Sequence, residues 1–289
     1  MKETILNGYK VYWNYMVDSF KHPSLYNPFL YVVIFYILCF TFELTFPKLL
    51  PYSAVRRKGF WIDLAYLIFM DYIVEIIGVY AVCCGVEYLT LRILNKMDIH
   101  APLFDLHHAL PLGLRFVIFF VLIDFLLWCS HVLLHHNKTL WEFHKIHHAQ
   151  EEMGFASARH SHFGESIIVR PAIWIPFAIF GFKPENYVIW YLWINYFLNI
   201  FSHCNVKVNW GIFKYLFVTP EVHYWHHSKN ITVKHGVNFG QGLMLWDLIF
   251  GHFYCPKDQV QQLGIQKNDV PEGFLNQMIY PFKKMFKIK

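Results

Sequence analysis

The sequence predicts an all-α integral membrane protein, with about four transmembrane helices beneath a cytoplasmic helical cap. Of the 289 residues, 56% are hydrophobic, 20% are aromatic and only 16% are charged. Together with a mean hydropathy of +0.30, this composition is typical of surface that faces lipid. Histidine is the second anomaly, because 13 of the 18 histidines lie between His131 and His235. Such clustering indicates chemistry rather than packing, and we expect the cap to carry a histidine-rich dimetal site.

Long apolar runs define the expected transmembrane helices, since a helix needs about 20 residues to cross the hydrocarbon core. The second run is long enough for one tilted helix with an extension or for a tight pair. The last two runs flank a turn signal at 181–185 and predict a helical hairpin. The runs are Pro28–Phe46, Trp61–Leu94, Leu112–Ser130, Ile167–Gly181 and Tyr187–Phe201. From Lys207 onward the chain is more polar, and we expect it at the membrane surface or in water.

Basic residues set the expected orientation, because lysine and arginine concentrate on the cytoplasmic side of a membrane. They cluster at 56–58, between the first two runs, and at 283–289. If the second run crosses once, every histidine group faces the cytoplasm. We therefore expect a multi-pass protein, of the inner membrane in a bacterium or of the endoplasmic reticulum in a eukaryote, with residues 1–289 as a single domain.

Charge and cysteine content argue against other classes of protein. The net charge of +5 comes without a basic stripe long enough for DNA, so no nucleic-acid partner is expected. The six cysteines include no C-x-x-C motif, so neither a disulfide framework nor a thiolate zinc site is indicated.

Asp63, Asp71 and Glu75 lie in the second apolar run, where charge is costly. They indicate a polar interior or a shorter span.

Three histidine groups follow the apolar runs. In His131-Val-Leu-Leu-His135-His136, the residues four apart share one helix face. The stretches 144–148 and 223–227 share the spacing H-x-x-H-H, and we expect each to converge on one face. Eight imidazoles are too many for one ion, and neutral imidazole suits iron, zinc, copper or nickel. The sequence therefore predicts two metal ions on one side of the membrane.

These groups lie in longer motifs. Trp141-Glu-Phe-His-Lys-Ile-His-His148 follows the first group, and Glu221-Val-His-Tyr-Trp-His-His227 is followed by Asn238-Phe-Gly240 and Leu245-Trp-Asp-Leu-Ile-Phe-Gly251. The combination resembles the fatty acid hydroxylase and sterol desaturase superfamily of membrane di-iron oxygenases. The resemblance covers about residues 113–255, the expected family-like core.

The resemblance implies a ligand set. Eight histidines match the family's metal-binding boxes, and His203 matches an additional histidine after the hairpin. In the stretch 159–165, His162 is the better match to a further family histidine, although Phe163 and one extra residue depart from the family's Arg-x-His-Pro-x-Glu pattern. His136 is left out because its direction differs from that of its neighbours. The implied metal ligands are His131, His135, His144, His147, His148, His162, His203, His223, His226 and His227.

Four acidic or amide side chains near these motifs could hold imidazole N–H groups, as carboxylates do around many metal-binding histidines. They are Asp124, Glu142, Asn238 and Asp247. Two alternatives stay open, since Asp124 could pair elsewhere in the helix bundle and Asp247 could cap a surface helix.

By this resemblance, the protein uses O2 and external electrons to hydroxylate or desaturate an unactivated C–H bond of a lipid such as a sterol, a fatty acyl chain or an ether lipid. We favour hydroxylation. The implied cofactors are two iron ions (Fe2+/Fe3+), which zinc or nickel could replace in a purified sample. The sequence carries neither a Gly-rich dinucleotide fingerprint nor a haem domain. We therefore expect a separate electron donor, a reductase with cytochrome b5 or ferredoxin.

Two other classes compete with this interpretation. A non-catalytic metal transporter or store would place its ligands near the bilayer midplane along a pathway, whereas these groups follow the apolar runs on one face. A hydrolase with a zinc-bound hydroxide would need an open position and a general base rather than a shell of imidazoles. Neither class explains the motifs at 238–240 and 245–251.

Overall fold

The structure is a computed structural model that describes residues 28–71, 74, 88–89, 91–98, 102–169, 176–177, 179–182 and 186–287. Within these ranges, regular structure is helical, and β-pairing is limited to the isolated bridges Phe217 with Leu243 and Ser228 with Leu263. The all-α prediction is confirmed for this part of the chain. The α-helices are α1 (Pro28–Thr45), α2 (Phe60–Ile68), α3 (Leu106–Ala109), α4 (Leu112–His136), α5 (Lys138–His148), α6 (Phe163–Val169), α7 (Asn186–Ser202), α8 (Pro220–His226), α9 (Leu245–Phe250) and α10 (Phe274–Phe286), with 3-10 turns at Phe155–Arg159 and Gly211–Tyr215.

Helix α4 carries His131, His135 and His136 at its C-terminal end. It has 25 residues, and among the described helices it is the one long and apolar enough to cross a membrane. Asn137 stops it with an extended backbone, and the Asn137 side chain then accepts hydrogen bonds from the N–H groups of Thr139 and Leu140. Such a bond pattern caps the start of a helix. One residue thus ends α4, starts α5 and brings their histidines together.

The remaining predicted spans are covered only in part. Helix α1 is described from Pro28, and its apolar part, Tyr31–Thr45, is below spanning length within the described residues. The second apolar run begins with α2, and most of its remainder, including Glu75, lies outside the described residues. Helix α7 forms the second arm of the predicted hairpin, whereas residues 170–175 of the first arm, the turn residues 183–185 and Lys289 lie outside the described ranges. The count of about four spans, their orientation and the single-domain organisation stay predictions.

Two apolar clusters hold the histidine-bearing helices in place. In one, Phe119 and Ile123 of α4 are fully buried against Tyr191 of α7. In the other, Cys39 of α1 packs with Ile200 at the end of α7. Full burial of one large apolar side chain stabilises a fold by about 1.5–3 kcal/mol. These contacts therefore fix α4 against α7. They also set the position of His131 and His135 relative to the chain that follows α7.

Buried ion pairs explain the acidic residues of the second apolar run. Arg57 pairs with Asp63, and Arg159 pairs with Asp71. The Asp63 carboxylate also accepts a hydrogen bond of 2.7 Å from the Ser157 hydroxyl. A charge away from water is tolerated when an opposite charge and hydrogen bonds replace its hydration. Of the two explanations that the sequence offered, the structure supports a polar interior for Asp63 and Asp71.

Candidate metal centre

Nine histidines gather in space into two buried groups. These two spatial groups, called the first and second group from here on, differ from the three groups defined by sequence. Within each group, the ring nitrogens available to a metal lie within 4.8 Å of one another. The first group contains His131, His135, His144, His148 and His226, and the second contains His147, His203, His223 and His227. The structure thus brings together nine of the ten histidines expected as ligands.

Each H-x-x-H-H motif contributes to both groups. His144 and His148 are one turn apart on α5 and share a face, but His147 belongs to the second group. Adjacent residues on a helix point about 100° apart, so His147 and His148 cannot serve one ion from a single face. His226 and His227 divide in the same way. The expectation that each motif converges on one face is therefore wrong, because each motif straddles the two groups.

His144 occupies the middle of the first group. Its Nε2 atom lies 3.0 Å from Nε2 of His131. It also lies 3.1 Å from Nε2 of His135 and 3.1 Å from Nε2 of His148. Four ring nitrogens from α4 and α5 therefore point at a common centre.

The second group is arranged around His203 and His223. The Nε2 atoms of these two residues are 3.0 Å apart. Nε2 of His147 lies 3.3 Å from that of His203, and Nε2 of His227 lies 3.2 Å from that of His223. This group therefore joins α5, the chain after α7 and the end of α8.

Backbone carbonyls fix the protonation of several rings. A carbonyl can only accept, so a ring whose Nδ1 contacts one carries its proton there and presents a lone pair at Nε2. Four rings are held in this way, and the tautomer they adopt is the one that aims a metal-binding nitrogen inward. The pairs are His131 with Phe239 at 2.8 Å, His226 with Val237 at 2.7 Å, His203 with Asn199 at 2.7 Å and His147 with His160 at 3.2 Å.

The donor set fits metal ions. Burial lowers the pKa of His203 to about 4 and that of His226 to about 3, so both rings are neutral near pH 7. Neutral imidazole is the form that binds a metal. Inward lone pairs repel one another unless a cation lies between them, and the buried Nε2 of His226 has no hydrogen-bond partner among the described residues. The two groups therefore suit two ions of the class that prefers imidazole.

One carboxylate contacts the first group directly. Glu165 of α6 is buried, and its Oε2 atom lies 2.9 Å from Nδ1 of His144. A carboxylate at Nδ1 orients the ring and makes Nε2 a stronger ligand. In the sequence, Glu165 stands out only as the last residue of the 159–165 motif, and its contact with His144 was not predicted. That motif was the one available signal, because the contact depends on how α6 packs against α5.

His162 lies outside both groups, unlike the other nine histidines expected as ligands. Its Nε2 donates to the carbonyl of Met278 at 2.9 Å, and its Nδ1 accepts a hydrogen bond of 2.9 Å from the N–H of Gly164. Both ring nitrogens are thus engaged by backbone groups. His162 thus ties the start of α6 to α10.

The four side chains expected to accept hydrogen bonds from imidazole N–H groups contact other partners instead. Asp124 accepts from the Trp246 indole at 2.8 Å, which matches the open alternative that it pairs elsewhere. Glu142 accepts from the Tyr280 hydroxyl at 2.9 Å, and the Asn238 amide donates to the Val222 carbonyl at 3.0 Å. The physical reason is that closeness along the chain does not set side-chain direction, and these side chains turn away from the rings.

Asp247 affects the first group indirectly, through the backbone of a loop. Its carboxylate accepts hydrogen bonds from the N–H groups of Phe239 at 2.8 Å and Gly240 at 2.7 Å. The Trp128 indole donates to it at 3.2 Å. Since the Phe239 carbonyl is the acceptor for His131, Asp247 shapes the loop that orients this ring. Neither direct contact with an imidazole nor capping of a surface helix describes its role.

A cavity of about 380 Å³ reaches the first group. His135, His148 and His226 lie in its wall, and Trp141 lies beside them. All five rings of the first group are buried, and this cavity gives a small ligand a path to three of them.

Residues 116–252 match the fatty acid hydroxylase family. The chain is similar to this family over these residues, which make up just under half of its length. The matched range contains all nine clustered histidines and lies within the expected core of about 113–255. The resemblance that the motifs indicated is therefore confirmed.

Curated relatives carry lipid-modifying activities in their names. Ornithine lipid hydroxylase OlsE of Rhizobium tropici is 30% identical over 175 residues, which make up 60% of this chain and 52% of OlsE. Alkylglycerol monooxygenase of Homo sapiens is 27% identical over 146 residues, or 49% of this chain and 31% of the human protein. The Caenorhabditis elegans alkylglycerol monooxygenase is 26% identical over 170 residues, or 57% of this chain and 32% of its own length. The chain thus spans about half of OlsE and about a third of the other two. No solved structure matches the chain significantly.

Proposed function

We propose that the protein is a membrane-bound oxygenase that hydroxylates an unactivated C–H bond of a lipid with O2 and external electrons at a di-iron site. The observation that carries this proposal is the pair of adjacent, buried, all-histidine groups. The rings of His148 and His227, one from each group, stack at 4.3 Å. Two ions bound to these groups would therefore share one enclosed site.

The relatives support lipid hydroxylation as the reaction class. The names of these relatives, ornithine lipid hydroxylase and alkylglycerol monooxygenase, describe oxidoreductases that add oxygen to a lipid. We infer hydroxylation rather than desaturation for this chain on that basis. Substrates of the same range, from ether lipids and fatty acyl chains to sterols and amino-acid lipids, are consistent with a site at the end of an apolar helix.

Iron fits the donor set and the reaction. When bound, a pair of iron ions supplies the activation of O2 that carbon hydroxylation requires. The balanced conversion takes R–H, O2, two electrons and two protons to R–OH and water. The residues of the chain hold the ions, keep the imidazoles neutral by burial and orient the rings through Glu165 and backbone carbonyls. We propose that a separate donor, a reductase with cytochrome b5 or ferredoxin, delivers the electrons.

The proposal is tested by isotope incorporation. The iron-loaded full chain, supplied with a reductase and bacterial or microsomal lipid extract under 18O2, should yield lipids that carry one 18O atom each. His226→Ala should abolish this product, because it removes one ligand of the first group. A metal transporter would instead move iron or zinc into sealed vesicles without forming an 18O-labelled lipid, and that result would contradict the proposal.

A further inference from the structure

The cavity that reaches the first histidine group has a basic wall. Lys138 and Lys229 line it, and none of the described residues in its wall carries a carboxylate. Lys229 pairs loosely with the exposed Glu151, at 3.8 Å. Lys138 is the first residue of α5 and is exposed. A cation at a helix N-terminus is disfavoured by the helix dipole, so helix stability does not explain a lysine there. An anion beside it would be attracted both by the lysine and by the helix.

The wall also contains apolar surface and an unusual backbone conformation. Trp141, Ile231 and Val233 supply apolar surface. His235 has a φ of 71°, a left-handed conformation that residues other than glycine seldom adopt. Backbone in this region costs free energy and is concentrated at functional surfaces. The wall therefore combines two positive charges with an apolar surface, as a site for an amphipathic ligand does.

Size and position restrict the ligand. A volume of about 380 Å³ equals about a dozen water molecules at about 30 Å³ each. This space accommodates a polar headgroup and a few methylene groups, but not a whole two-chain lipid. The cavity opens beside His136, at the C-terminal end of the apolar helix α4. If α4 crosses the bilayer, this end lies where lipid headgroups lie.

We propose that this cavity binds the anionic headgroup of the lipid substrate, a carboxylate or a phosphate, on Lys138 and Lys229. The hydroxylated carbon then lies close to the headgroup rather than at the far end of an acyl chain, because the same small cavity reaches His135, His148 and His226. The position of oxidation rests on the proposed function, whereas headgroup binding does not.

Binding can be measured without turnover. The zinc-loaded full chain in non-ionic detergent would be titrated by calorimetry with dodecyl phosphate, dodecanoate and uncharged 1-dodecylglycerol. The wild type should bind the two anions at least about tenfold more tightly than the glycerol, since hydrogen bonds to charged groups are the strong ones. The double variant Lys138→Gln/Lys229→Gln should lose this preference and keep its affinity for dodecylglycerol. The matched control is Lys234→Gln/Lys267→Gln, which changes two exposed lysines outside the cavity wall and should bind as the wild type does.

Equal affinity of the wild type for anionic and uncharged probes would overturn the proposal. So would an equal loss in the control variant, which would mean that general surface charge attracts the anions. Iron-loaded protein supplied with a reductase and O2 should place the hydroxyl group within the first few carbons from the anionic group, as mapped by mass spectrometry. A hydroxyl group near the chain end would overturn the assigned position. Selective anion binding without any oxidation would contradict the proposed function and support the headgroup site.

Discussion

Nδ1 of His144 lies 2.9 Å from Oε2 of Glu165, while Nε2 of the same ring lies 3.0 Å from Nε2 of His131. The ring therefore connects a buried carboxylate to the centre of the first histidine group. A carboxylate in this position fixes the proton on Nδ1 and strengthens Nε2 as a ligand. Its location on α6 makes the packing of α6 against α5 part of the metal centre.

Glu165→Gln is expected to weaken metal binding to the first group by about 10- to 100-fold, because the amide cannot replace the negative charge beside His144. Competition with a chromophoric chelator measures this affinity for each of the two ions. The matched control is Glu142→Gln, on α5, whose carboxylate contacts Tyr280 instead of a histidine. Equal weakening in both variants would contradict the role given to Glu165.

His162→Ala is expected to keep the full metal content. The ring contacts the Met278 carbonyl and the Gly164 N–H, so its removal frees two backbone groups and leaves both histidine groups complete. The cost should appear as a loss of stability of about 1–3 kcal/mol, the penalty for unsatisfied buried polar groups. Metal analysis and thermal unfolding of the same sample separate the two effects. Loss of one ion would show that His162 is a ligand after all.

Asp63→Asn is expected to destabilise the fold strongly. It leaves the buried Arg57 guanidinium without its paired charge, and removing one partner of a buried pair costs about 3–5 kcal/mol. The control is Glu272→Gln, which breaks an ion pair with Lys58 whose side chains are 90% and 80% exposed and should change stability by less than about 1 kcal/mol. Denaturant unfolding compares them. Equal stability of the two variants would contradict the buried pair.

The contribution of Asp247 to the free energy of unfolding should decrease as pH rises. Burial raises the pKa of this carboxyl from 3.8 to about 6. Between these values the folded protein holds a proton that the unfolded chain releases. The contribution of Asp247 to the free energy of unfolding therefore falls as pH rises from 3.8 to about 6 and is constant above that range.

Asp247→Asn should remove this component of the pH dependence, because the amide does not titrate. Thermal unfolding midpoints from pH 4 to pH 7, set against those of the exposed control Asp258→Asn, measure it. An unchanged slope in Asp247→Asn would rule out Asp247 as the titrating group.

Local geometry explains what could be predicted from sequence. His131 and His135, or His144 and His148, are one helical turn apart, so their convergence follows from spacing alone. The resemblance supplied His203, which no spacing links to the other histidines. The division of His147 from His148 depends on which helix packs on each face of α5, and this information is spread over the whole fold.

Residues near a motif in sequence were poor guides to its neighbours in space. Glu142 lies two residues before His144 but points to Tyr280, whereas Glu165 lies 21 residues away and contacts the ring. Adjacent positions on a helix face different directions, and only the tertiary packing of α5 and α6 selects the carboxylate. The same limit applies to Asp247, which acts on His131 through the backbone of Phe239.

The central claim is that two histidine groups bind one iron ion each. The most direct test is iron content with Mössbauer spectroscopy on anaerobically purified, iron-supplied protein, comparing the wild type with His226→Ala of the first group and His147→Ala of the second. His136→Ala, which changes an exposed ring outside both groups, is the control. The account predicts about two irons per chain in the wild type and the control, and about one in each ligand variant. One iron or none in the wild type, with both ligand variants unchanged, would contradict it.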